Sequence, residues 1–155
     1  MNLRIRMATE NDAHVLTEFN CRLAWETEQR QLDQSIVGRG VQRGLQHKND
    51  VQYWVAESGS VNSKNQIVGQ LMLTREWSDW RDGWVMWLQS VYVDQAFRGK
   101  GVFRKLLQHV TQQLQSQPDV VGLRLYVEHE NQRAVDVYHR LSFSDAGYRV
   151  MEHMF

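Results

Sequence analysis

Two glycines set between cations, in the stretch "LQSVYVDQAFRGKGVFRKLLQHV" (Leu88 to Val110), are the residues of this chain most plainly spaced for chemistry. Glycine is required only where the backbone takes an unusual conformation or must come close to something. Here Gly99 and Gly101 alternate with Arg98, Lys100 and, beyond the turn, Arg104, just where an apolar β-branched run gives way to a helical pattern. The N–H groups of Gly99, Lys100, Gly101, Val102 and Phe103 can then converge on one anion, aided by the positive end of the helix dipole. A phosphate is the expected ligand, and a surface turn with solvated cations is the alternative. The spacing is not that of a nucleotide P-loop, because Lys100 lies between the glycines and Val102 comes directly after Gly101. A dinucleotide fingerprint needs a third glycine and an acidic partner about twenty residues on, in a strand-helix-strand unit near the chain start, and this stretch does not meet that pattern.

The second concentration of chemistry is aromatic. Of six tryptophans, Trp77, Trp80, Trp84 and Trp87 fall in one short segment. On a strand running from Trp84, Trp84, Met86 and Leu88 face one way and Val85, Trp87 and Gln89 the other. One set covers core, and the other can line a cleft with Trp77 and Trp80. Aromatic walls suit a cationic amine or an apolar side chain; plain packing and a dimer surface are the alternatives. Cys21 is alone, which excludes a disulfide framework and a cysteine metal site, and the six histidines show no ligand-like clustering.

The elements that must position these residues are read from periodicity. "LRIRMAT" alternates as a strand, Thr9 stands where an N-cap belongs, and Ala13, Leu16, Phe19, Leu23 and Ala24 repeat at helical spacing. A second helix is expected over Leu32 to Leu45. "VQYWVAE" reads as a strand, "SGSVNSKN" as a polar loop, and "QIVGQLMLTREW" and "GWVMWLQSVYV" as strands joined by a hairpin whose signal is Asp82-Gly83. After the glycine loop, Val102, Phe103, Leu106, Leu107, Val110 and Leu114 trace one face of a helix that ends before Pro118. "VVGLRLYVE" is expected as a strand, "NQRAVDVYHRLSF" as a helix and "GYRVMEHMF" as a final strand. The order β-α-α-β-β-β-α-β-α-β implies an α/β fold with a mixed sheet and helices on its faces.

Composition bounds the partners. A chain of 155 residues, 42% hydrophobic and 23% charged, is ordinary for one globular domain. Eighteen basic residues balance eighteen acidic ones, so a general nucleic-acid or anionic-membrane surface is not expected. No apolar run approaches the ~20 residues of a membrane helix, and the N-terminus lacks a signal-peptide core. The expectation is a cytoplasmic protein.

The stretch "VYVDQAFRGKGVFRKLL" resembles the acyl-CoA-binding motif of the GNAT superfamily of N-acyltransferases, Arg/Gln-x-x-Gly-x-Gly/Ala. Arg98 and Gly101 match its first two fixed positions, and Phe103 departs from the small third residue. A second segment, "LRLYVEHENQRAVDVYHRLSF", is similar to the family's strand-Asn-x-x-Ala-x-x-x-Tyr-x-x-x-Gly-Phe pattern through Asn131, Ala134, Tyr138 and Phe143, with Ser142 in place of the glycine. The order of elements fits that fold over nearly the whole chain.

The resemblance implies a pyrophosphate on the Arg98 to Arg104 loop. It also implies a pantetheine arm paired with the backbone of Val91, Tyr92 and Val93, whose main-chain groups also polarise the thioester carbonyl. Asn131 is locally an N-cap, and the resemblance adds an amide contact to the pantetheine. Tyr138 lies two helical turns along the same face and is implied to protonate the departing thiolate. Its reference pKa of about 10 exceeds the ~8.5 of a thiol, so it holds its proton until the thiolate forms; a core tyrosine is the alternative. Many relatives carry a carboxylate base on the central strand, where this chain offers Gln89, which cannot take a proton. Glu76, Asp79 and Glu128 are the acidic candidates, and Trp80 and Trp84 the candidates for the acceptor side.

The reading is a single N-acetyltransferase domain over residues 1–155 that moves an acetyl group from acetyl-CoA to a primary amine. The amine belongs to a small molecule or a peptide or protein terminus and attacks directly. Cys21 lies outside both motifs, so no covalent intermediate is expected. The rivals are a CoA-binding sensor without turnover and an interaction protein using its tryptophan surface. No metal, nucleic acid or membrane partner is expected, and a homodimer is left open.

Overall fold

The computed structural model describes residues 2–60 and 63–155. They fall into two compact units, one ending at Arg124 and one running Leu125–Phe155.

The first unit contains β1 (Asn2–Met7), α1 (Ala13–Glu28), α2 (Gln34–Gln46), β2 (Val51–Ser60), β3 (Ser63–Ser78), β4 (Gly83–Val93), α3 (Val102–Gln115) and β5 (Val120–Arg124). Its strands form one sheet in chain order. β1 to β4 pair antiparallel and β5 joins β4 in parallel, as a crossover through α3 requires. This is the mixed, mostly antiparallel sheet flanked by helices that the order of elements implies.

Each face has its own cover. Leu16 of α1 and Val41 and Leu45 of α2 are buried against Tyr53 and Val55 of β2. On the other face Val102 joins Ala56 and Val68, and His109 of α3 sets its ring edge-on to Trp54 at 5.5 Å. The stripe Val102, Leu106, Leu107, Val110 and Leu114 is at most 5% exposed. At about 1.5–3 kcal/mol per buried aliphatic side chain, it holds a 14-residue helix that would be marginal alone in water. α2 starts where Asp33 accepts the N–H groups of Ser35 and Ile36. Ahead of α1, the Thr9 N–H donates to Asp12 Oδ2 at 2.7 Å, and Thr9 caps a single 3-10 turn, Glu10–Asp12. Arg6 donates to both Asp12 (2.7 Å) and Glu57 (2.6 Å), tying β1 to that turn and to β2.

Three expectations are corrected, and the expected hairpin between β3 and β4 is present with its turn made differently. β2 and β3 run through most of the polar 58–65 stretch; cross-strand hydrogen bonds there outweigh the turn preferences of single residues, and the centre of that stretch, residues 61 and 62, lies outside the described residues. In the β3–β4 link, Asp82 takes the left-handed conformation at φ 48°, while Gly83 is already in the strand. A Cβ on Gly83 would strike the Val121 side chain and lie 2.9 Å from the Asp119 carbonyl, so this glycine admits β5 rather than making the turn. β5 stops at Arg124 instead of continuing to Glu128. The tail 147–155 is not a strand: Tyr148, Val150, Met151, Met154 and Phe155 are all exposed. Alternation makes a strand only where another edge supplies hydrogen bonds, and the pattern itself breaks at Met151.

The second unit contains α4 (Gln132–Arg140). Its cap is Asn131, whose Oδ1 accepts the Ala134 N–H at 3.2 Å. Tyr138 and Phe143 meet edge to face at 5.6 Å.

Candidate active site

β4 changes character halfway along. Up to Trp87 it is flanked by β3 on one side and β5 on the other, with Trp87 paired to Arg124. β5 ends there and β4 runs on to Val93. The register to β3 slips by one residue in the same stretch, from Met72↔Gln89 to Gln70↔Tyr92, and Ser90 takes φ 49°. This is a β-bulge, which bends the strand and re-aims the residues beyond it. The Asp94 N–H donates to Val68 O at 2.9 Å, so by strand alternation the N–H and C=O of Val93, and of Val91 before it, face the edge that β5 has left. A polar extended molecule can pair there as an added strand would.

The same strand leads into the glycine loop. Gly99 and Gly101 sit at φ 73° and 77°, a region costly for residues with a Cβ. A Cβ on either would meet nothing within 4 Å, so the space above the loop is open. Gly101 is also the N-cap of α3, which no side chain caps. Lys105 is the residue whose N–H reaches back to Gly101 O, at 3.0 Å. The N–H groups of the first turn therefore present partial positive charge to the open side, with Lys100 and Arg104 exposed beside them.

Arg98, the first fixed position of the motif, is engaged elsewhere. Its Nε donates to Val93 O at 2.9 Å and an Nη to Glu26 Oε2 at 2.5 Å, with the guanidinium 5.3 Å from the Tyr92 ring centroid. Glu26 Oε1 accepts from the Tyr92 hydroxyl (2.8 Å) and Gln95 Nε2 (3.1 Å). Tyr92 is buried, packed on Phe19 at 4.9 Å. Burial works to raise the Glu26 pKa, and the bonds from Arg98 and Tyr92 outweigh it and leave the carboxyl below its ordinary value. Burial, then the Glu26 bond, raises the Tyr92 phenol. A polar cavity of about 400 Å³ opens beside this network, lined by Arg22, Glu26, Tyr92, Asp94, Gln95 and Ala96. Its Arg22 is paired with Glu18 and Asp94.

The acceptor candidates separate by sheet face. Thr74 and Glu76 of β3 lie opposite Trp87 and Val85 of β4. Glu76 Oε2 accepts from Trp87 Nε1 (2.7 Å) and Arg124 (2.9 Å), and the Arg124 guanidinium lies 5.7 Å from the Trp87 ring centroid. Gln89 Nε2 donates to Thr74 Oγ1 at 2.6 Å. Across the sheet, Trp84 is stacked by the Arg75 guanidinium at 4.2 Å and meets Trp77 edge-on at 5.0 Å, so its ring is occupied by packing. Trp80, in the link between β3 and β4, is 85% exposed.

In the second unit Glu128 Oε2 accepts the Glu130 N–H at 2.9 Å and its carbonyl the Asn131 N–H at 3.1 Å. Burial raises the Tyr138 phenol above its usual pKa, so it is protonated at neutral pH. Among the described residues no group of three or more His, Cys, Asp or Glu is placed to hold a metal, and no helix is long and apolar enough to cross a membrane.

Sequence reasoning missed Glu26, Gln70 and Arg124. Their partners lie 72, 20 and 48 residues away, and no local spacing announces such contacts.

The model of the acetyltransferase (GNAT) family matches residues 14–143. A possible acetyltransferase from Clostridium difficile 630 is similar at 35% identity, covering 100% of this chain and 99% of its own, with a TM-score of 0.89. Glucosamine-6-phosphate N-acetyltransferase from Arabidopsis thaliana is 18% identical over the whole of both chains with a TM-score of 0.73. A predicted acetyltransferase with acetyl-CoA from Clostridium acetobutylicum is 16% identical, covering 98% of this chain and 96% of its own, with a TM-score of 0.76. These last two show a common fold. No protein of curated function matches the sequence. The family match and these neighbours are those of an acyltransferase. The chain belongs to the GNAT acetyltransferase family.

Proposed function

We propose that this chain, as one domain over residues 1–155, transfers an acetyl group from acetyl-CoA to a primary amine by direct attack. One observation carries the reading: the edge of β4 that β5 leaves open runs straight into an uncapped helix start with two left-handed glycines under open space. Main-chain pairing groups and an anion site on one continuous stretch suit a pantetheine joined to a pyrophosphate.

In this reading the N–H groups of Gly99 to Arg104 hold the pyrophosphate, with Lys100 and Arg104 adding charge. Arg98 is not a phosphate ligand here: it caps Val93 O and holds the loop to α1 through Glu26. The N–H and C=O of Val91 and the N–H of Val93 align the pantetheine, and the Val91 N–H polarises the thioester carbonyl. The amine lone pair attacks that carbon, the C–S bond breaks, and the thiolate takes the Tyr138 proton. Asn131 stays a cap for α4 and adds an amide to the pantetheine. Glu76 Oε2 already accepts from Trp87 and Arg124, and Gln89 cannot accept a proton; in this reading the amine loses its proton to water or enters as the free base. Trp80 and the Trp87–Arg124 pair form the acceptor side.

The test is a panel of amines (amino acids, polyamines, aminosugars and peptide N-termini) with acetyl-CoA and free-thiol release as readout. Turnover with one class supports the reading. Tight acetyl-CoA binding without thiol release from any amine would leave a CoA sensor, and absence of binding would refute the site.

A further inference from the structure

We propose that Gln70 is a positioning residue for acyl transfer: its amide holds the Ser90 carbonyl and so fixes the bulge that turns Val91 toward the thioester. The proposal rests on the acetyl-transfer reading for its kinetic half and on the bulge alone for its structural half.

Gln70 is 0% exposed. Its Nε2 donates to Ser90 O at 3.1 Å, and its Oε1 is buried with no hydrogen-bond partner. Because the Ser90 carbonyl can only accept, the amide is held nitrogen toward Ser90, and the orphaned oxygen cannot be traded away by a flip. A buried carbonyl without a partner is a net cost to the fold. The cross-strand neighbours on that face are Val55 and Tyr92, among which an apolar side chain of the same length would pack without the orphan. The amide thus has one discernible use, and it lies at the bulge. Ser90 is a non-glycine residue at φ 49°, a conformation that persists only where its surroundings determine it. Without the tie, the extra residue of β4 can migrate, and a one-residue slip sends every later group to the opposite side. Val91, next in the chain, is the group that would be misaimed.

Gln70→Met tests this, since it conserves volume while removing both the donor and the orphan. The expected result is a thermal midpoint equal to or above that of the unsubstituted protein, together with a kcat lower by about tenfold or more. That is less than the 10²–10³-fold of an outright lost oxyanion donor, because Val91 remains present but misplaced. Affinity for acetyl-CoA, set mainly at the glycine loop, changes little. Amide hydrogen exchange at Tyr92, whose N–H faces β3 opposite Gln70, accelerates in Gln70→Met even without any acceptor, and this readout stands if the acyl-transfer reading fails. Gln70→Glu supplies the rescue: burial favours the neutral carboxylic acid, which can donate to Ser90 O. Its kcat stays near normal at low pH and falls as the carboxyl ionises, a limb absent from the unsubstituted protein. Normal kcat in Gln70→Met, unchanged exchange at Tyr92, or activity lost only in proportion to stability would each overturn the proposal.

Discussion

Replacing Gly101 by asparagine isolates the anion site from the fold. At φ 77° and ψ 12°, a β-branched residue such as valine would strain the backbone by about 1–3 kcal/mol. Lost affinity in Gly101→Val could therefore be a distorted loop. Asparagine tolerates the left-handed region and projects into space where no protein atom lies within 4 Å of the new Cβ. It should leave the thermal midpoint of the free protein within a few degrees while occupying the volume that the pyrophosphate needs. A hydrogen bond to a charged group is worth about 1.5–3 kcal/mol. Loss of a single N–H contact to phosphate then weakens acetyl-CoA binding roughly 10- to 150-fold at 1.4 kcal/mol per decade. Calorimetric titration of both proteins with acetyl-CoA measures it, and thermal midpoints without ligand verify the fold. An unchanged Kd with an intact fold would refute the placement of the pyrophosphate over this loop.

Three other perturbations bear on the catalytic acid and on stability. Tyr138→Phe keeps the ring against Phe143 and should lower kcat at least ~10²-fold, the low end for a general acid, with little change in KM; any alkaline limb due to the phenol disappears, and near-normal turnover with an unchanged pH profile would make Tyr138 a packing residue. Arg6→Met strands Asp12 and Glu57, whose side chains are 9% and 11% exposed; about 3 kcal/mol is expected, the low end for breaking a buried pair, or roughly 6–12 °C in midpoint for a chain of this size, measurable by denaturation. The Arg6 bond, foremost, holds the Asp12 carboxyl below its usual range, and Glu26 is likewise depressed. Carboxyls lowered in the fold add stability above their unfolded pKa, about 4, and lose it as pH falls through the folded values. Stability should thus decline below about pH 4, and the decline should be shallower in Glu26→Gln; equal slopes would count against it.

Much of the scaffold was legible because its signals are local. β4 occupies the expected residues, and α2 and α3 begin and end within a few residues of where periodicity put them. The glycine loop was legible for its conformation too: two glycines before a helix are what two left-handed residues demand. The features that escaped depend on partners distant in sequence. The bulge has no glycine to mark it, because Ser90 is held by the buried amide of Gln70. Arg98 reads as a phosphate ligand from its spacing, and its bonds to Val93 O and Glu26 are visible only in the fold. Gly83 carried a turn signal and serves a close approach of β5. The tail alternates well enough to suggest a strand, yet pairs with no other strand among the described residues. Glu76 is acidic and well placed by sequence, and only the fold reveals that Trp87 and Arg124 already share its oxygen.

The early end of β5 has a consequence for how the chain assembles. β2, β3 and β4 follow one another closely in the chain, so their contacts close small loops, whereas the parallel seam between β4 and β5 must await the whole of α3. Contacts of larger sequence separation carry the greater closure entropy and form later. The open edge of β4 lies along that late seam, where the strand keeps β3 as its one neighbour in the sheet. Such regions open at lower free energy than the rest. A ligand bridging the edge of β4 and the start of α3 would bind across the last joint to close and the first to loosen. It would therefore act as a brace, raising the barrier to unfolding beyond what its contacts with either element alone would give.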